Sequence, residues 1–185
     1  EINNNFISSD ELMNIRAISP DSLFRYIVSS KKNIESIIHM GAVTDTTEKN
    51  INKVLDNNFY FSMQLFDFCA ENNIKLIYAS SASTYGDGNM GFDDKSDSKY
   101  LSGLQPLNAY GWSKHFFDRR IIRLFEERKK FLKNWAGLKF FNVYGPNESH
   151  KKKQSSVVFQ MFELNQCYYC NYHHYRCQHH RLYCC

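Results

Sequence analysis

Long apolar runs and a leader pattern are both absent from this chain of 185 residues. No stretch approaches the roughly 18 apolar residues that a membrane-spanning helix requires. The first five residues also lack the basic and apolar signature of a signal peptide. We therefore expect a cytoplasmic protein without a membrane partner. The composition, 43% hydrophobic and 16% aromatic, is that of a globular chain that can bury one core.

An excess of one charge sign is absent from most of the sequence. Of 23 basic and 19 acidic residues, five basic residues and Glu163 lie in residues 151–185, which leaves residues 1–150 with 18 of each sign. A body without net charge lacks the basic surface that binds nucleic acid. We predict that nucleic acid is not a partner.

Cysteine is scarce up to residue 166, where Cys69 stands alone, and five cysteines crowd the last 19 residues. A body so poor in cysteine is typical of an intracellular, disulfide-free protein. Residues 167–185 consist mostly of Cys, Tyr and His, and Cys167-x-x-Cys170 followed by histidines is one way to build a zinc site. The abrupt change in composition favours translation out of frame instead. We therefore divide the chain into a domain of residues 1–166 and an atypical tail of residues 167–185, and predict no metal.

Short apolar segments alternate with helical patterns along the body. Residues 34–40, 74–81 and 138–144 predict strands, while residues 51–72 and 109–131 predict helices. A further helix is expected to open at Ser19-Pro20-Asp21, and residues 87–105 are expected to form a loop. This alternation predicts an α/β fold with a parallel sheet, in which ligands collect at the carboxyl ends of the strands.

Tyr110 and Lys114 lie four residues apart in the second predicted helix, on one face. A free tyrosine, with a pKa near 10, is a poor base at neutral pH, and a neighbouring cation favours its phenolate form. Ser80 and Ser81 end the second predicted strand, where a hydroxyl would reach the same substrate oxygen. The spacing alone also suits an ordinary solvated pair.

Four segments in order resemble the extended short-chain dehydrogenase/reductase family of nucleotide-sugar enzymes. They are His39–Ala42 (H-x-G-A), Ser80–Gly86 (S-S-A-x-x-Y-G), the Tyr110–Lys114 segment, and residues 139–146, which match R-x-F-N-V-Y-G-P except that Lys139 replaces the arginine. The resemblance implies a partial Rossmann-type, doubly wound parallel sheet that lacks its first strands and the C-terminal substrate domain.

The resemblance also implies roles for individual residues. Tyr110 would be a catalytic base, Lys114 would orient the nicotinamide ribose and favour the phenolate, and Ser81 would bind the reacting oxygen. The cofactor would be NADP, with NAD as a further possibility. The implied cofactor-binding residues are Met40, Gly41, Ala42, Val43, Thr44, Asn57, Lys114, Val143 and Lys151. The implied substrate-binding residues are Ser81, Asn142, Lys153 and Gln160.

Residues 43–48 and 145–151 narrow the resemblance to the branch of the family that inverts C6 of an ADP-linked heptose for lipopolysaccharide core synthesis. Inversion requires proton transfer on both faces of a transient carbonyl, and Lys151 matches the second base. The branch continues G-[SC]-M-A-S after that lysine, whereas this chain has residues 152–156 as K-K-Q-S-S. The resemblance further implies an ADP-heptose-type substrate and homo-oligomeric full-length relatives.

The phosphate-binding G-x-x-G-x-x-G turn of the family is not found in residues 1–185. We expect the isolated chain to be inactive, with its true N-terminus upstream of Glu1. Two alternatives remain open from the sequence. One is a different sugar epimerase or dehydratase of the extended family, and the other is a non-catalytic remnant of a disrupted gene.

Overall fold

The computed structural model describes residues 18–127, 132, 134–145, 148 and 155–172. Its three strands are β1 (Ser36–His39), β2 (Lys75–Ser81) and β3 (Trp135–Phe140). Its helices are α1 (Pro20–Ser30), α2 (Ile51–Leu55), α3 (Phe61–Asn72), α4 (Ser98–Gly103), α5 (Ala109–Glu126) and α6 (Val157–Tyr172). A 3₁₀ turn spans Lys31–Asn33, a π-helical turn, Asp56–Tyr60, joins α2 to α3, and a further 3₁₀ turn, Ala82–Tyr85, follows β2.

The three described strands form one parallel sheet in the order β1-β2-β3. Ser36 pairs with Lys75 and His39 with Tyr78, while Ser81 at the end of β2 pairs with Phe140 at the end of β3. All three strands therefore end at the same edge of the sheet. The predicted α/β fold with a parallel sheet is confirmed.

Local sequence explains where the helices begin and end. Ser19 is the N-cap of α1 and Pro20 its first residue, as predicted, because proline suits a position that needs no amide donor. Asn108 caps α5 by accepting the Gly111 amide proton. The predicted helix over 109–131 ends at Glu126, and the remainder of that prediction falls on residues 128–131, outside the described ranges.

The main core lies between β2 and helices α1, α3 and α5. Ile51 and Phe125, apolar residues within the predicted helices, lie outside this core and are exposed at 59% and 47%. Both lie at the ends of their helices, beyond the surface that packs on the sheet. The buried members are Ile27, Leu65, Phe66, Phe68, Cys69, Ile74, Leu76, Tyr78, Phe117, Ile121, Leu124 and Leu132.

Two predicted boundaries were wrong. The strand predicted over 138–144 runs instead over Trp135–Phe140, and residues 141–145 continue without regular structure. Gly137 hid the start of this strand because glycine is a weak strand former; here a Cβ would come within 2.4 Å of the Tyr78 hydroxyl oxygen. The loop predicted over 87–105 contains α4, which Asp97 caps by accepting the Tyr100 amide proton.

Among the described residues, no helix combines the length and apolar character needed to span a membrane. That part of the chain also contains no cluster of three or more potential metal-ligating side chains. The Cys and His residues of the tail beyond Tyr172 lie outside the described ranges, so the zinc alternative is not tested by the structure.

Candidate active site

The second strand delivers Ser81 into a tight turn at the carboxyl edge of the sheet. The Ser83 amide donates to Ser81 Oγ at 3.2 Å, and the Ser81 and Ser83 hydroxyls are 2.6 Å apart. Thr84 Oγ1 donates to the Ser81 carbonyl oxygen at 2.8 Å. Gly86 closes the turn with φ +67°, and a Cβ there would lie 1.9 Å from the Gln105 carbonyl oxygen. The position of Ser81 is thus fixed by its own local backbone.

Lys114 reaches the same strand from α5. Its Nζ donates to the Ala79 carbonyl oxygen at 2.8 Å, and the side chain is only 3% exposed. Burial lowers the pKa of Lys114 to about 8, while the negative charge of Asp118 opposes that change. Tyr110 lies one helical turn earlier on α5 and is partly exposed. The structure therefore brings Ser81, Lys114 and the helix of Tyr110 to one strand end.

Gly111 allows α5 to approach the turn after β2 closely. A Cβ at this position would be 2.9 Å from the Ser83 carbonyl oxygen and 3.1 Å from Pro106 Cβ. Because backbone atoms cannot move aside as a flexible side chain can, any larger residue would separate the helix from the turn. The glycine between Tyr110 and Lys114 is therefore a requirement of the packing.

The end of β1 is held by Asn58, a residue that the sequence analysis did not select. Its Oδ1 accepts the Val43 amide proton at 2.8 Å, and its Nδ2 donates to the Val43 carbonyl and to Ser113 Oγ, each at 3.0 Å. Asn58 is fully buried. It ties the segment after β1 to the residue that precedes Lys114. Its place on the apolar side of the predicted helix was the signal that could have identified it.

His39 ends β1 in a buried, neutral state. Its Nε2 lies 2.9 Å from Ser62 Oγ, whose own proton is donated to the Asn58 carbonyl oxygen at 2.7 Å. Because that hydroxyl has only one proton, His39 Nε2 must donate to it. Burial, and secondarily the charge of Lys114, lowers the pKa of His39 to about 4. The imidazole therefore serves as a hydrogen-bond donor beneath the site.

A cavity of about 630 Å³ opens beside the end of β1, within the range of small-molecule sites. Five of the predicted cofactor residues, Met40 to Val43 and Asn57, line it. The Asn57 side chain is exposed and donates to the Lys53 carbonyl oxygen at 2.8 Å. A Cβ on Gly41 would meet only His39 Cε1, at 4.0 Å, so the backbone there is open to close approach. The open backbone at Gly41 leaves room for a cofactor to approach, whereas the sequence contains no glycine-rich turn for a pyrophosphate.

The remaining predicted site residues are distributed over several segments of the chain. Thr44, Asn142 and Val143 are exposed, the last two just beyond β3. Gln160 lies on α6 and its Nε2 donates to the Ser155 carbonyl oxygen at 2.8 Å. Lys151 and Lys153 lie outside the described residues.

Glu148 holds the two ends of the segment that contains those lysines. Its carboxylate accepts the Gly145 amide proton at 2.8 Å, and it accepts from the amide and the hydroxyl of Ser156 at 2.7 and 2.9 Å. Glu148 is 3% exposed. Glu148, the acidic residue of segment 145–151, is thus a structural link between the chain that follows β3 and the beginning of α6.

The fold has parallel strands with crossover helices and a small-residue turn after β1, and it sets a serine against a helix that carries tyrosine and lysine. These features define the class of α/β enzymes that use a dinucleotide. The sequence profile of the NAD dependent epimerase/dehydratase family matches residues 5–166. The chain belongs to that family, whose chemistry uses a nicotinamide cofactor.

Curated relatives point to one branch. The chain is 46% identical over 161 residues to an ADP-L-glycero-D-manno-heptose-6-epimerase of Fusobacterium nucleatum, covering 83% of this chain and 47% of that protein. It is 39% identical over 142 residues to the protein of the same name from Brachyspira hyodysenteriae, covering 77% of this chain and 42% of that protein. The chain thus spans less than half the length of these relatives.

A solved structure supports the same fold. The crystal structure of the Helicobacter pylori ADP-L-glycero-D-manno-heptose-6-epimerase aligns with a TM-score of 0.57 and 32% identity, covering 79% of this chain and 43% of that one. The UDP-N-acetylglucosamine 4-epimerase of Bacillus cereus aligns with a TM-score of 0.53 and 25% identity, covering 71% of this chain and 42% of that one. Both similarities place the chain among nucleotide-sugar epimerase folds.

Proposed function

We propose that this chain carries the catalytic residues of a nucleotide-sugar epimerase that inverts C6 of an ADP-linked heptose, with NADP as cofactor. The observation that carries the proposal is the Lys114 bond to the Ala79 carbonyl, which joins the Tyr110 helix to the strand that delivers Ser81. The identity with two heptose epimerases supports the choice of substrate. The proposal applies to the chain within a complete enzyme.

The residues of this chain would act on one substrate hydroxyl. A bound nicotinamide cofactor supplies the acceptor, and later the donor, of a hydride. Ser81 Oγ would hold the reacting oxygen by a hydrogen bond, and Tyr110 Oη would take the hydroxyl proton as the C6 carbonyl forms. Lys114 would keep a positive charge beside the phenolate and contact the ribose.

Inversion requires a second proton donor on the opposite face of the carbonyl. After the sugar presents that face, return of the hydride to it would invert C6, and Lys151 would protonate the resulting alkoxide, whereas return of the hydride to the original face would restore the starting configuration. We propose Asn142, Lys153 and Gln160 as sugar contacts and Met40 to Thr44, Asn57, Val143 and Lys151 as cofactor contacts. We also propose that the complete enzyme is a cytoplasmic homo-oligomer.

A chimera tests the proposal. Residues 5–166 of this chain would replace the matching segment of the Fusobacterium nucleatum relative, and C6 inversion of the ADP-linked heptose would be followed by chromatography. We expect measurable inversion, and we expect Tyr110→Phe to reduce kcat by about 10²- to 10⁴-fold because the proton acceptor is lost. Tyr144→Phe, at an exposed tyrosine beyond β3, is the matched control and should leave kcat within about twofold.

Two outcomes would contradict the proposal. A folded chimera without activity, beside an active parent relative, would show that the segment no longer forms a competent site, as expected of a gene remnant. A chimera that converts a UDP-linked sugar but not the ADP-linked heptose would assign the chain to another branch of the family.

A further inference from the structure

A largely buried ion pair, Asp118 with Lys139, lies beside the end of β2 that presents Ser81. Asp118, one turn after Lys114 on α5, is 5% exposed. Its Oδ1 accepts the Tyr78 hydroxyl proton at 2.9 Å, and its Oδ2 accepts the Ser80 hydroxyl proton at 2.6 Å. Both donors belong to β2, and Ser80 immediately precedes Ser81. The carboxylate therefore attaches α5 to the strand at the residue next to the proposed oxygen-binding serine.

Lys139 of β3 completes the pair from the other side. Its Nζ lies 3.1 Å from Asp118 Oδ2 and donates to Thr84 Oγ1 at 2.6 Å. Thr84 in turn donates its proton to the Ser81 carbonyl oxygen. The Lys139 ammonium also lies over the Tyr85 ring, 4.7 Å from its centroid. Ser81 is thus linked to the ion pair on both sides, through Ser80 and through Thr84.

Charge gives this pair a second effect that a hydrophobic contact could not supply. The groups around Lys114 are the Ala79 carbonyl, neutral His39 from β1, and Asp118 on its own helix. Asp118 is the negative charge that favours the protonated ammonium against the cost of burial. Buried ion pairs add little net stability compared with packed apolar residues, and fixing local geometry is one role that such a pair can have.

We propose that Asp118 and Lys139 are positioning residues that fix the end of β2 presenting Ser81, and that Asp118 also keeps Lys114 protonated at neutral pH. The inference rests on the proposed roles of Ser81 and Lys114. It assigns a function to Lys139, the position at which this chain departs from the arginine of the resembled block. The two residues act through their neighbours and are not required to touch substrate or cofactor.

The titration of Lys114 tests the proposal without any enzyme assay. The lysine side chains of the purified 185-residue chain would be isotope-labelled and followed by NMR across pH, with Lys114→Met identifying the signal. We expect a midpoint near 8 in the parent chain and a decrease of about 1 pH unit in Asp118→Asn, because an opposite charge is removed. Asp93→Asn, which removes an exposed carboxylate paired with Lys95, is the control and should leave the midpoint unchanged.

An unchanged Lys114 midpoint in folded Asp118→Asn would overturn the proposal, since a purely structural carboxylate could be replaced without altering that titration. If Asp118→Asn fails to fold, Lys139→Gln decides. That variant removes a competing cation and leaves Asp118, so the Lys114 midpoint should rise, and an unchanged or lower midpoint would overturn the proposal. A shifted midpoint together with an inactive chimera would retain the positioning role and reject the enzymatic one. An unchanged midpoint together with an active chimera would reject only the positioning role.

Discussion

The ends of β2 and β3 lie side by side at one edge of the sheet but are built in opposite ways. Beyond β2, Ser81, Thr84 and Tyr85 are buried, and hydrogen bonds connect that turn to its neighbours. Beyond β3, Phe141, Val143 and Tyr144 are exposed at 59%, 62% and 66%. The first region is packed on α5, whereas the second is largely exposed, although the Phe141 ring still contacts the rings of Tyr85 and Phe92.

This difference separates two parts of the proposed chemistry. The groups proposed to act on the reacting oxygen, Ser81 and the Tyr110 helix, are positioned by contacts within the described residues. Asn142 and Val143, which are proposed to contact the sugar and the cofactor, lie in the exposed segment beyond β3. The chain thus orders the residues proposed for proton transfer more completely than those proposed to contact the sugar.

Two glycines offer the sharpest test of the comparison. Gly86→Ala should reduce the free energy of unfolding by about 4 kcal/mol, because a Cβ would collide with the Gln105 carbonyl at a positive φ that suits glycine. At Gly145, beyond β3, no atom of the described residues lies within 4 Å of an added Cβ, so Gly145→Ala should change the free energy of unfolding by less than about 0.5 kcal/mol. Urea unfolding of both variants measures the difference. Equal losses would show that the two strand ends are packed alike.

Asn58 tests whether the end of β1 resembles that of β2. Asn58→Ala should cost about 3 kcal/mol of unfolding free energy, since it leaves the Val43 backbone groups without a buried partner. Asn57→Ala removes an exposed amide and should cost less than about 0.5 kcal/mol. The comparison again uses urea unfolding, and a larger loss for Asn57 than for Asn58 would contradict this view of the β1 end.

The pH dependence of stability tests how deeply Lys114 is buried. Burial lowers its pKa from 10.5 to about 8. Between those values the unfolded chain binds more protons than the folded chain, so this residue makes the free energy of unfolding rise with pH. From pH 8 to 9.5 the rise should be about 1.5 kcal/mol larger in the parent chain than in Lys114→Met.

Other groups titrate in the same pH range and change stability in the opposite direction. The quantity to measure is therefore the difference in unfolding free energy between the parent chain and Lys114→Met. Burial raises the pKa of Cys69 to about 11 and raises that of Tyr78, and both residues lower stability as the pH increases above their unfolded values. Both proteins share these contributions. Lys95→Met, at an exposed lysine, should follow the parent curve. Identical pH profiles for parent and Lys114→Met would show that the ammonium is solvated.

The smallest expected change in stability is for a substitution in the exposed segment beyond β3. Val143→Thr should change the free energy of unfolding by less than about 0.5 kcal/mol, because this side chain is 62% exposed. Thermal unfolding of the variant beside the parent chain provides the measurement. A loss above about 1 kcal/mol would mean that the β3 end is packed in solution, and the proposed contrast would fail.

Periodicity was sufficient to predict most of the fold. The strands near residues 36–39 and 75–81 and the α5 helix follow from apolar spacing and from caps such as Asn108. The π-helical turn at Asp56–Tyr60 could not be predicted this way, because it inserts an extra residue into a helix whose pattern otherwise continues. The early start of β3 was missed because Gly137 carries no side chain to show the alternation.

The site was predictable where its chemistry depends on residue type and spacing. Tyr110, Lys114 and Ser81 belong to recognisable motifs, and the structure places their backbones around one strand end. Asn58, Asp118 and Lys139 were not selected as site residues, because their importance depends on contacts between elements 15 to 55 residues apart in sequence. Burial of a polar side chain is visible only when the helix and the sheet are brought together.

The contact between Gly111 and Ser83 also has a mechanical consequence. Tyr110 lies one residue before that contact along α5 and Lys114 three residues after it, so a tilt of the helix at the contact would displace the backbone of Lys114 further than that of Tyr110. The Lys114 bond to Ala79 restrains one arm, and the Asn108 cap restrains the other. A small tilt of this pivot would therefore change the separation of the two groups from the strand unequally, which makes helix orientation a sensitive control on their shared geometry.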